Sequence, residues 1–129
     1  MPGELKRILY VEDDADIRTI VVMVLDAVGG FSVVTCSSGE EAVQAAPGAN
    51  ADLILLDGAM PGMDGPATLK ALREIPATAH TPAVFITASV QPSDVRYFRS
   101  LGAVDVIAKP FDPMTLSAQL REIWQRCSD

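Results

Sequence analysis

Cysteine is scarce in this chain, with only Cys36 and Cys127, and the two stand far apart without metal-ligand spacing. A disulfide framework or thiolate metal centre is therefore not indicated, and both thiols are expected as small buried hydrophobes in a reduced, cytoplasmic protein. Long apolar runs are missing too. No segment reaches 18 uninterrupted apolar residues, and the opening MPGELKR carries no signal-peptide core, so neither membrane spanning nor secretion is indicated. Basic residues are the minority, 10 Lys and Arg against 17 acids, and the net charge of −7 disfavours nonspecific binding to nucleic acid or anionic membrane. A dinucleotide loop is absent as well: the first strand-like run is followed by EDDAD, not by G-x-G-x-x-G. Any partner is expected to be a protein.

What is present is a composition of 49% hydrophobic and 21% charged residues over a length of 129, which suits one soluble globular domain, residues 1–129. Internal repeats, low-complexity tracts and linkers are lacking. The stretch Asp52 to Gly65, DLILLDGAMPGMDG, sets four large aliphatic residues before an acid, Asp57, and a Gly- and Pro-rich loop. A short apolar run without alternation suits a strand buried on both faces. Asp57 would then lie where that strand emerges, either poised to react or merely turning the chain.

The remaining segments repeat the pattern. Lys6 to Val11 reads as a strand ending at Glu12, Asp13 and Asp14, followed by a helix with apolar positions Ile17, Ile20, Val21, Val24, Leu25 and Val28. Phe31 to Cys36 is a second strand. Ser38 and Glu41 resemble a capping box for a short helix through Ala46, expected to end near Pro47. Beyond the central strand, Asp64 can cap a helix carrying Leu69, Leu72 and Ile75. Pro82 to Thr87 is a fourth strand, and a helix from about Gln91 to Leu101 follows with a thin stripe of Val95, Phe98 and Leu101. Val104 to Ala108 is the fifth strand, and a last helix from about Asp112 carries Leu116, Leu120, Ile123 and Trp124.

Five strands alternating with five helices predict a three-layer α/β domain with a parallel sheet. Right-handed crossovers place the strand-to-helix loops on one edge, where ligands of such folds sit. Glu12, Asp13, Asp57, Thr87 and Lys109 should therefore converge, with Asp14 an open further member after the first strand. Converging carboxylates repel unless a cation joins them, and hard oxygen donors favour Mg²⁺ before Ca²⁺; EF-hand spacing is absent. Such an ion would let an anionic Asp57 attack a phosphoryl group, giving an aspartyl phosphate, with Lys109 and Thr87 on the phosphoryl oxygens. Each residue also has an ordinary explanation: Asp13 and Asp14 at the positive end of a helix, Thr87 as a β-former, Lys109 as a solvated loop lysine.

The pieces ILYVEDD, LLDGAMPGMDG, FITAS and GAVDVIAKPF, in this order, resemble the receiver domain of two-component response regulators. The likeness runs over essentially the full length and includes the small single-domain chemotaxis-type regulators. It implies a flavodoxin-like (βα)5 fold with strand order 2-1-3-4-5 and a phosphoryl group accepted from a histidine kinase or phosphotransfer protein. Residue by residue, it implies Asp57 as phosphoacceptor, Thr87 as switch hydroxyl and Lys109 as phosphate contact. It further implies a Mg²⁺ site of Glu12, Asp13, Asp57 and the Ala59 backbone carbonyl, and a cis bond from Lys109 to Pro110. Asp14 falls outside the acid pair. Output would pass to a downstream protein through the face of the fourth and fifth helices, and self-association stays open.

Two departures qualify the resemblance. Family members carry Tyr or Phe three residues before the lysine, as a rotamer switch, where this chain has Val106. Output is therefore expected to run through repacking of the fourth helix and its preceding loop. Ala59 and Ser89, at positions that tune access of hydrolytic water, are not strong bases, so rapid assisted dephosphorylation is not expected. Two other functions compete. One is a phosphorylation-independent interaction module. The other is a Mg²⁺-dependent aspartyl-phosphate phosphotransferase, whose usual second acid is replaced by Ala59. The chain ends soon after the fifth helix, which is expected either of a stand-alone regulator or of an excised domain.

Overall fold

The computed structural model describes residues 3–88 and 90–128. Five parallel strands, β1 (Arg7–Val11), β2 (Ser32–Cys36), β3 (Leu53–Asp57), β4 (Ala83–Thr87) and β5 (Asp105–Ala108), form one sheet in the order β2-β1-β3-β4-β5. Five helices connect or follow them: α1 (Ala15–Ala27), α2 (Gly39–Ala49), α3 (Gly65–Arg73), α4 (Pro92–Ser100) and α5 (Pro113–Ser128). A single 3-10 turn, Pro76–Thr78, lies between α3 and β4.

Both faces of β3 are covered, which explains its unbroken apolar run. Leu53 and Leu55 pack with Tyr10, Val21 and Leu25 and with Leu116 and Leu120 of α5, whereas Ile54 and Leu56 pack with α2, α3 and Phe98 of α4. Thus α1 and α5 form one layer and α2, α3 and α4 the other. Alternation along the strands then assigns the residues at their ends. Asp57 continues the series of Leu53 and Leu55, toward α1 and α5. Thr87 continues that of Ala83 and Phe85, toward α2 to α4.

Local chemistry starts the helices where the sequence suggests. Asp14 Oδ1 accepts from the amides of Asp16 and Ile17 at 2.9 and 3.1 Å, Ser38 Oγ from Glu41 N at 3.1 Å, and Asp64 Oδ1 from Ala67 N at 2.9 Å. Glu41 reaches Ser37 N at 2.9 Å instead of the Ser38 amide, a capping box displaced by one residue. Gly102, after α4, has φ +102, a left-handed conformation that glycine adopts without steric cost.

Three expectations are corrected. α2 does not stop at Pro47; it continues to Ala49 and closes on Asn50 at φ 50. Pro47 lies in the last turn, where the loss of one amide donor is offset by burial of Ala46 and Ala49. Ile20 and Val28, counted in the apolar stripe of α1, are 49% and 52% exposed, because the buried stripe narrows to Val21 and Leu25. Cys36 is buried as expected, but Cys127, near the end of α5, is exposed. Among the described residues no helix is long and apolar enough to cross a membrane.

Candidate functional site

Strand register brings the acids together. Val11 stands opposite Leu56, so the next residues on each strand, Glu12 and Asp57, come side by side at the carboxyl edge of the sheet. Both are buried, at 1% and 3% exposure, while Asp13 is exposed beside them. Carboxylate oxygens of Glu12, Asp13 and Asp57 all lie within 4.8 Å of one another, a hard-oxygen donor set with one open, solvent-facing member. Asp14 turns away to cap α1, as its exclusion from the acid pair requires.

Lys109 enters from the neighbouring strand end. Thr87 stands opposite Ala108, and Lys109 N donates to Thr87 O at 2.9 Å, which places the lysine one step beyond the threonine. Its Nζ lies 3.1 Å from Asp57 Oδ1 and 3.4 Å from Glu12 Oε1. The Lys109–Pro110 peptide bond is cis, in agreement with the expectation. Burial by itself lowers the pKa of the ammonium, but the hydrogen bond and charge of Asp57, joined by Glu12, outweigh it and hold the group above its ordinary value. For Glu12 the balance goes against the charged form. Burial, then the hydrogen bond and negative charge of Asp57, push its carboxyl up to about 7.

Thr87 is buried at the end of β4 and borders the pocket from the opposite layer. A Cβ placed on Gly58 would lie 3.0 Å from Thr87 Cβ, 3.1 Å from its Oγ1 and 3.4 Å from Phe98 Cζ, so a small residue after Asp57 lets these three groups approach. Gly65 is held more tightly: a Cβ there would stand 2.5 Å from the Asp57 carbonyl oxygen and 2.9 Å from Gly58 Cα. This close approach of α3 to the end of β3 could have been suspected from the repeated glycines, but the sequence does not say which of them is essential. The amide of Ala59 donates to Asp57 Oδ1 at 3.2 Å and orients the carboxylate. Phe98 rests on Phe85 with ring centroids 4.5 Å apart, and Val106 packs against the same cluster. The expectation concerning Ser89 lies outside the described residues.

One group missed by sequence reasoning is Tyr10, which looks like an ordinary β-former in a buried strand. Its hydroxyl lies 3.4 Å from Glu12 Oε1. The available signal was its position two residues before Glu12, hence on the same face of the strand.

The response regulator receiver domain model matches residues 8–121. This chain belongs to that family. The receiver domain is 37% identical over 123 residues to the phosphate regulon transcriptional regulatory protein PhoB of Escherichia coli, covering 95% of this chain and 53% of PhoB. It is 36% identical over 122 residues to the transcriptional regulatory protein CpxR of the same organism, covering 95% of this chain and 50% of CpxR. The chain therefore spans about half the length of these curated relatives. Among solved structures, the chemotaxis protein CheY4 of Vibrio cholerae superposes with a TM-score of 0.85 at 32% identity, over 92% of this chain and 98% of that one. Receiver domains are signalling phosphoacceptors that bind Mg²⁺ at an acidic pocket, and the cluster of Glu12, Asp13 and Asp57 suits that ion.

Proposed function

We propose that this receiver domain accepts a phosphoryl group on Asp57 from a phosphohistidine of a histidine kinase or phosphotransfer protein. The observation that carries the reading is the placement of Asp57, buried at the end of the central strand, within 4.8 Å of two further carboxylates and 3.1 Å from the Lys109 ammonium. An Asp57 carboxylate oxygen attacks phosphorus, the P–N bond to the donor imidazole breaks, and the imidazole takes a proton as it leaves. Bound at Glu12, Asp13, Asp57 and the Ala59 carbonyl, Mg²⁺ would neutralise the repulsion between an anionic nucleophile and an anionic phosphoryl group. Lys109 then exchanges its ion pairs with Asp57 and Glu12 for the phosphoryl oxygens, and Thr87 donates its hydroxyl to the same group.

An apolar groove of about 420 Å³ beside Lys109, lined by Ile17, Ile20, Pro110, Phe111 and Pro113, supports a protein as the phosphodonor. Output is assigned to the face of α4, β5 and α5, where Tyr97 is 53% exposed. On that face Asp105 is held by Arg99 at 3.3 Å and Arg126 at 2.7 Å. We assign residues 1–129 to one receiver domain acting in the cytoplasm, and a downstream protein or a second copy as what binds this face.

Incubation with acetyl phosphate and Mg²⁺ followed by intact mass tests the reading. A phosphoryl adduct that needs Mg²⁺ and is lost in Asp57→Asn is expected. An adduct that persists in that variant would overturn the assignment.

A further inference from the structure

Tyr10 is wholly buried, with 0% exposure, and is the largest of the fully buried side chains. Alternation along β1 puts Ile8, Tyr10 and then Glu12 on the face toward α1 and α5. For packing alone, phenylalanine would fill this place without a hydroxyl whose burial costs free energy unless it is bonded. The Tyr10 hydroxyl donates to Glu12 Oε1 at 3.4 Å, and Lys109 Nζ donates to the same oxygen at 3.4 Å. Glu12 Oε2 accepts from Asp14 N at 3.3 Å. An ionised carboxylate offers about four lone-pair sites. Tyr10 and Lys109 thus both meet Oε1, whereas the Asp14 amide meets Oε2.

Glutamate has one more rotatable bond than aspartate, so a glutamate at this position has more freedom to lose before it can serve as a fixed ligand. A phenol is protonated at neutral pH, so toward an ionised carboxylate the Tyr10 hydroxyl acts as donor. Lys109 is the less permanent of the two donors, because the same ammonium is needed by an incoming phosphoryl group. When it moves, Oε1 retains Tyr10.

We propose that Tyr10 is a positioning residue: its hydroxyl fixes the Glu12 carboxylate so that Oε2 remains available to a divalent cation, both before and after Lys109 turns to the phosphoryl group. This rests on the reading of Glu12 and Asp57 as cation-holding carboxylates. Outer partners of metal ligands act in this manner, by orienting a ligand they do not replace.

The test is calorimetric titration of the unphosphorylated chain with Mg²⁺, in wild type, Tyr10→Phe, Glu12→Gln and the double variant. It is paired with initial rates of acetyl phosphate labelling across Mg²⁺ concentrations and with melting temperatures. Tyr10→Phe is expected to raise the Mg²⁺ dissociation constant about tenfold. The half-saturating Mg²⁺ should rise by the same factor, while the rate at saturating Mg²⁺ falls by much less. In the Glu12→Gln background, Tyr10→Phe should add nothing. A wild type that binds Mg²⁺ and a Tyr10→Phe variant that binds it equally well would overturn the proposal. So would an equal loss in both backgrounds, which would mean general loosening of the core. A wild type that binds no Mg²⁺ would overturn the reading of the acid cluster itself, and the role of Tyr10 with it.

Discussion

Glu12 is the residue at which folding and chemistry conflict. Its carboxyl is raised from 4.5 to about 7 by burial and by Asp57, so the folded, metal-free protein holds a proton that the unfolded chain releases. A raised carboxyl contributes stability that is fully present below its unfolded pKa and lost as pH rises through the folded value. Between about pH 5 and pH 8 the melting temperature of the metal-free protein is therefore expected to fall, by roughly 5 °C. Glu12→Gln should flatten that slope, and Mg²⁺ should offset it by favouring the charged carboxylate. Thermal melts in chelator, repeated with Mg²⁺, check all three statements, and a metal-free melt that rises over this range would contradict the first. Glu12 could be picked out in the sequence because a strand runs directly into it. Its protonation could not, since that depends on Asp57 arriving from a strand more than forty residues away. Tyr10 was hidden for a related reason: a tyrosine in a buried strand is ordinary until the position of its hydroxyl is known.

Among the elements, α4 is the one whose apolar contact is concentrated in a single side chain. Phe98 is its only buried residue, stacked on Phe85 and within reach of Gly58 and Thr87. Phe98→Ala is expected to cost about 3 kcal/mol, measured by denaturant unfolding. Val106→Ala, half-buried against the same cluster, should cost about 1 kcal/mol. If output runs through repacking of α4, Phe98→Ala should abolish phosphorylation-dependent chemical shift changes in that helix, while Val106→Ala leaves them. An unphosphorylated and a phosphorylated protein with identical α4 spectra would remove that route. Element types and order were legible because hydrophobic period and caps agree: Ser38 and Asp64 each cap the helix they precede. The end of α2 was not, because Pro47 reads as a stop. Burial of Ala46 and Ala49 decides otherwise, and that burial is a tertiary matter.

At the level of the whole molecule, the five-stranded parallel sheet does two things for the site. It sets register, so that Val11 opposite Leu56 puts Glu12 beside Asp57, and Thr87 opposite Ala108 puts Lys109 just beyond it. It also separates two packed layers, one on each face of the sheet. Glu12, Asp57 and Lys109 belong to the side of α1 and α5, and Thr87 to the side of α2, α3 and α4. A phosphoryl group held by Lys109 from one side and Thr87 from the other would act as a rivet through two plates. Fastened, the plates can no longer breathe independently. Amide hydrogen exchange should then slow together on both sides of the sheet after phosphorylation, in α4 as well as in α5, and should stay unchanged in Asp57→Asn. Slowing confined to one layer would mean that the phosphoryl group grips only that layer. With a true rivet, the message available to a partner is a loss of independence between two halves, readable from either face of the domain.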